Sequence, residues 1–128
     1  MNKIYILSRT TVAIIFIYHG LVPKLIFENS HEILMNNALV PFLPEKSALF
    51  ISGIAEIIYG IFILVFFASK QLMYPAIIFS VLATLILLFV LPNLFQNAFN
   101  PFSINLSLLV LCVINVMSQT ETESLSNN

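Results

Sequence analysis

Five side chains could carry chemistry in a chain that is otherwise short of it: Arg9, His19, Lys24, Glu56 and Asn105. Glu56 is the only charge in the apolar run from Ser47 to Ala68. A carboxylate at the centre of a bilayer costs about 2.5–3.5 kcal/mol on insertion scales, so such a residue faces a protein interior, a partner charge or a water-filled pocket. Two readings of Glu56 stand side by side. It binds a ligand or handles a proton, or it is a carboxylate satisfied by an interhelical donor that pins the helices together. His19 is an ionisable group whose ordinary proton exchange lies near neutral pH. Asn105 brings an amide, and Lys24 and Arg9 bring positive charge.

Helical geometry ranks the partners of Glu56. Side chains on a helix lean toward its N-terminus. Two consecutive spans run in opposite directions, so His19 on the first and Glu56 on the second lean toward each other. At the helical rise, Glu56 lies about 13.5 Å below Ser47 and His19 about 4.5 Å below Val22. Asn105 enters its own span at about the depth of His19. The expected site is a polar cluster of His19, Glu56 and Asn105 with Lys24 at its mouth. Arg9 lies about 7.5 Å beyond Ile4 and leans the opposite way. It is expected to snorkel to the headgroups, and a direct Arg9–Glu56 pair is less favoured.

Other chemistries are excluded. Two histidines and one cysteine without any aspartate give no metal-ligand spacing, so no metal is expected. His19 and His31 are badly placed to serve as axial haem ligands, and His31 reads as loop surface. No Gly-rich phosphate loop and no nucleophile elbow occurs. Cys112 alone can form neither an intrachain disulfide nor a CxxC redox pair, and it reads as inert packing. A net charge of −1 offers no basic patch, so nucleic acid is not an expected partner.

The elements that must position these residues belong to a membrane protein. The chain is 59% hydrophobic and 9% charged, with a mean hydropathy of +1.00, more apolar surface than a soluble domain of this length could hide. A spanning helix needs about 20 residues. Four segments qualify or nearly so: residues 4–22, 47–68, 72–91 and 102–118. The first is expected to be retained, because Arg9 lies inside it and Pro23–Lys24 stands where a small-residue cleavage site would be. The expected fold is all-α: an integral membrane four-helix bundle with a short interfacial helix between spans one and two. Pro23 should end the first helix. In the loop from Ile26 to Pro44, Asn29 could cap the interfacial helix with Glu32 as its box partner, and Ile33, Leu34, Ala38 and Leu39 would line its apolar side. The short turn Ser69–Lys70–Gln71 predicts that spans two and three are antiparallel neighbours. Gly53 and Gly60, one heptad apart, should let helices pack closely. Residues 1–118 read as one domain, followed by a polar, frayed tail over 119–128. Lys3, Arg9 and Lys70 on one side against Lys24 and Lys46 on the other predict cytoplasmic termini at a bacterial inner membrane.

Three stretches together resemble the DoxX-like family of small four-helix membrane proteins. The family's Gly-Leu-x-Pro-Lys-Leu after the first helix falls on Gly20, Leu21, Pro23, Lys24 and Leu25. Its Gly-x-x-Glu-x-x-x-Gly falls on Gly53, Glu56 and Gly60, and its Pro-Phe-x-x-x-Asn-Leu on Pro101, Phe102, Asn105 and Leu106. Arg9 matches a basic residue near the family's start. The resemblance runs over roughly residues 5–115. It implies that some relatives are quinone-reducing membrane subunits of sulfur-oxidising enzymes and that others sit in oxidative-stress complexes, while most have no assigned role.

Three function classes follow. The resemblance supports a membrane redox or quinone-interacting subunit, in which Glu56 and His19 handle the proton and hydrogen bonds of a quinone head group. Four spans with one membrane carboxylate also suit a small proton-coupled exporter, although aromatic residues near Glu56 are few. The third class is a non-catalytic scaffold or chaperone. The expected partners are the lipid bilayer, other membrane or redox subunits and a second copy of the chain.

Overall fold

The computed structural model describes residues 2–126, the side chains of residues 122, 123, 125 and 126 excepted. Asn2 caps the first helix by accepting from the N–H of Ile4 at 3.1 Å. That helix, α1, covers Lys3–His19 and continues as a π-helical segment over Gly20–Ile26. The short helix α2 covers Ser30–Leu39, followed by α3 over Glu45–Val65, α4 over Met73–Val90 and α5 over Pro101–Ser126. Single 3₁₀ turns at Lys70–Leu72 and Pro92–Gln96 lead into and out of α4. Among the described residues four segments are long and apolar enough to cross a membrane: Lys3–Ile26, Glu45–Val65, Lys70–Val90 and Pro101–Glu121. The protein is an all-α, multi-pass membrane bundle.

Pro23 does not end the first span. A proline ring inside an α-helix clashes with the carbonyl four residues back. Here the chain widens to π winding, with the N–H of Phe27 donating to Val22 O at 3.1 Å, and the ring is accommodated without a break. Lys24 therefore stays on the helix. The capping box expected at Asn29 is also half-formed. Asn29 Oδ1 accepts from the N–H of His31 at 2.9 Å, but its own N–H donates to Pro23 O at 2.8 Å. Glu32 is left to face Lys24 instead.

The last helix runs past the expected end at Ser118. Gln119 Nε2 donates to Ala68 O at 2.6 Å, and Thr120 Oγ1 bonds Val116 O one turn back. The helix continues through Ser126, so residues 119–126 are helical in place of a frayed tail. Residues 127 and 128 of that tail lie outside the described residues.

Packing departs from loop length in one important respect. The close approaches are α1 with α3, α1 with α5, and α4 with α5. No comparable approach joins α3 to α4 among the described residues, despite the short turn between them. The cause is the stripe of small residues on α3, which faces α1. A Cβ on Gly60 would lie 2.6 Å from Ile17 Cγ1 and 2.8 Å from Ala13 O, and one on Gly20 would overlap Gly53 O outright. Tyr59 of α3 rests edge-on against Phe16 of α1 with ring centroids 4.8 Å apart. The short helix α2 touches both α3 and α4 and bridges the gap at one end. The core proper is Val12, Ala13, Phe16, Ile63, Met73, Ala76, Leu108 and Cys112, and Phe16 and Ala76 also wall the gap.

Candidate functional site

Two polar centres occupy opposite ends of the bundle, and the five chemically capable residues divide between them. At the terminal end lies Arg9, fully buried. It does not snorkel. Its Nε donates to Ile63 O at 3.0 Å, and its Nη2 donates to Phe66 O at 2.7 Å and Ser69 O at 3.0 Å. Nη1 reaches Asn115 Oδ1 at 3.3 Å. The backbone acceptors lie in and just past the last turn of α3, where carbonyls lack intrahelical partners and the helix dipole is negative. A guanidinium supplies several donors in one planar fork, so one residue satisfies the whole group. Asn115 Nδ2 in turn donates to Tyr5 O and to Ser8 Oγ, both at 3.0 Å. The rings of Tyr5 and Phe67 flank the guanidinium at 5.7 and 5.6 Å.

At the other end Glu56 meets Lys24. The π segment carries the lysine round to α3, and Lys24 Nζ donates to Glu56 Oε1 at 2.5 Å. Lys24 is not at a mouth or interface; it is buried, with Glu32 of α2 on its other side at 3.8 Å. One ammonium thus stands between two carboxylates. Glu56 Oε2 is buried and has no hydrogen-bond partner among the described residues. The motif residues of the first and second spans form a single contact: Gly20 on Gly53, Lys24 on Glu56.

His19 and Asn105 line the same cavity of about 160 Å³ as Lys24, Glu32 and Glu56. Asn105 Nδ2 donates to Thr84 Oγ1 at 2.9 Å, which ties α5 to α4 beside the site. His19 is half-buried at the cavity wall. Arg9 is held at the other pole by α3 carbonyls and takes no part in this cluster.

Glu56 also borders a second cavity of about 350 Å³, formed where α3 and α4 stand apart and lined almost wholly by apolar groups, among them Phe16, Ala55, Tyr59 and Phe79. Small-molecule sites occur typically in cavities of about 300–1,000 Å³ that are apolar apart from a few placed polar groups, and helix bundles often form them between helices. Ser52, Glu56 and Phe79 border both cavities. The arrangement can therefore hold an apolar body between α3 and α4 with its polar end at Glu56. Three of these residues, Glu32, Thr84 and Phe79, are not indicated by spacing. Thr84 leaves one signal, a hydroxyl in a span without any charge.

Among the described residues no group of three or more histidines, cysteines or acids could hold a metal ion. Fold and site together define a small multi-pass membrane bundle with a largely buried ion pair and an apolar cleft between α3 and α4. The chain belongs to the DoxX-like family, which it matches over residues 13–113. Comparison with curated proteins and with solved structures gave no match.

Proposed function

We propose that this DoxX-like protein is a ligand-binding membrane subunit that takes a lipophilic molecule with a hydrogen-bonding head group. A quinone is the candidate that the family resemblance supplies. The observation that carries this reading is the buried, unpartnered Oε2 of Glu56 at the edge of an apolar cavity. Leaving such an atom without a donor costs about 1–3 kcal/mol, which a purely structural carboxylate has no reason to bear.

The residues fit the group. A hydroxyl such as a quinol's donates to Oε2. A carbonyl such as a quinone's accepts from the same oxygen once the carboxyl carries a proton. Lys24 holds Oε1 and so fixes the direction in which Oε2 points. Phe16, Tyr59 and Phe79 take the apolar body. When bound, a quinone would supply two-electron chemistry, drawn from a partner membrane or redox subunit; this chain's residues bind, orient and exchange the proton.

For its setting we propose a bacterial cytoplasmic membrane with both termini inside. Since Arg9 and Lys24 are buried, the support is Lys3 and Lys70 on the terminal side against Lys46 opposite.

The test is binding of a short-chain quinol to the purified protein in detergent. Glu56→Gln should fold with unchanged helicity and bind more weakly by at least about tenfold, or 1.4 kcal/mol. Full affinity in Glu56→Gln would remove the carboxyl from the site. Binding of a lipophilic cation in place of quinol, lost in the same variant, would favour the exporter.

A further inference from the structure

Cavities continue outward from the site toward the face that α2 covers. The 160 Å³ cavity around Lys24 and Glu56 is followed by one of about 420 Å³ between α2 and the link into α5, where His31, Asn97 and Asn100 add polar groups. His19 and Glu32 border both. On the lipid side, Ser52, Glu56 and Phe79 are shared with the apolar cavity between α3 and α4. On the terminal side the described residues pack tightly. There Val12, Ala13, Ile63, Met73 and Cys112 are closed to solvent, and Arg9 fills the space behind them.

We propose that Glu56 is served by two separate routes: a polar inlet from the α2 face, past Glu32, Lys24 and His19, that delivers water and protons, and a lateral opening between α3 and α4 that admits the ligand from the bilayer. This deepens the reading of Glu56 as a ligand-binding carboxyl and rests on it. The groups that face Glu56 suit the first task. Lys24 comes from the π segment, Glu32 from α2, His19 from the end of α1 and Asn105 from α5, while α4 contributes Phe79 and Ala83 without a titratable group. When Glu56 takes a proton, Lys24 loses its nearer counter-charge but keeps Glu32 at 3.8 Å. The ammonium is compensated in both states, so protonation of Glu56 strands no buried charge. The proton comes from bulk water at the α2 face. It leaves by the same inlet or on the ligand. Glu32 and His19 are positioning residues on this path.

Ser52 stands at the junction and can report on the inlet and the opening alike. In a Cys112→Ala background, Ser52→Cys is placed in vesicles of each orientation, with Ser30→Cys on α2 marking the face. A charged methanethiosulfonate should label Ser52→Cys about tenfold faster from the α2 face than from the opposite one. A lipid-soluble maleimide should label it from either side, and Ala55→Phe should slow that reagent alone. Equal rates for the charged reagent from both faces, or no labelling where Ser30→Cys reacts, would overturn the inlet. An Ala55→Phe variant that slows the charged reagent instead would overturn the lateral opening. The infrared carbonyl band of protonated Glu56, identified by its loss in Glu56→Gln, gives a second readout in the otherwise native chain. It should follow pH at the α2 face and ignore pH at the other; a response to the terminal side alone sinks the proposal. One-sided labelling without quinol binding keeps the two routes and removes the ligand reading, and quinol binding with two-sided labelling does the reverse.

Discussion

Arg9 and Glu56 are both single charges drawn into an apolar bundle, and the protein treats them in opposite ways. The guanidinium is fully buried and meets four acceptors, three of them backbone carbonyls in and just past the last turn of α3. The carboxylate meets one ammonium, keeps one oxygen without a partner among the described residues and lies between two cavities. A satisfied polar network rigidifies the structure around it, whereas an unpaired buried polar atom is costly to keep. The terminal pole is a fastening. On the proposed function the other is a receptacle.

That contrast fails if the two poles respond alike to mutation, and the largest effect is expected at the fastening. Arg9→Ala removes the side-chain donor from Ile63 O, Ser69 O and Asn115 Oδ1 and one of the two donors to Phe66 O, and should destabilise the bundle by about 3–5 kcal/mol in mixed-micelle unfolding. Arg9→Lys should rescue little, since one ammonium cannot span the fork. A loss no larger than that of Lys24→Met would erase the distinction.

At the receptacle the expected loss is smaller and reversible by a second change. Lys24→Met leaves Glu56 without its counter-ion and should cost about 2–3 kcal/mol, discounted from the fully buried case because Glu56 is 18% exposed. Adding Glu56→Gln should recover most of that loss, a coupling that a double-mutant cycle measures directly. Additive losses would mean that the two residues do not form one unit.

The smallest effect concerns the seam that joins the poles. Gly60→Leu must displace Ile17 and the α1 backbone, and should cost about 1–3 kcal/mol. Phe89→Leu, on an 82% exposed side chain, should leave the unfolding midpoint unchanged. Equal midpoints for the two variants would show that the α1–α3 seam tolerates bulk and sets neither pole.

The four spans are legible because length and hydropathy suffice to find them, and Glu56 because a lone charge in an apolar run is conspicuous. Its partner is harder to read. Pro23 signals a stop, and π winding has no periodicity that betrays it, so Lys24 reads as a residue outside the bundle rather than inside it. The acceptors of Arg9 are main-chain carbonyls, which no residue type announces. Loop length argues that spans two and three pack together, but Gly53 and Gly60 direct the smooth side of α3 to α1 and leave the gap that becomes the cavity. Glu32 reads as half of a capping box because its true neighbour lies across a turn.

The gap between α3 and α4 has a mechanical side. The two helices are joined by the turn around Ser69–Leu72 at one end, where Tyr59 also bonds Leu72 O, and are bridged by α2 at the other. They are built like a pair of tongs, hinged at one membrane surface and clasped at the opposite one. The span of the jaws is then set at the two surfaces, not by the residues that line them. On the proposed function, a change in bilayer thickness, or a neighbour that lifts α2, would alter the grip on a bound ligand without touching a single lining side chain.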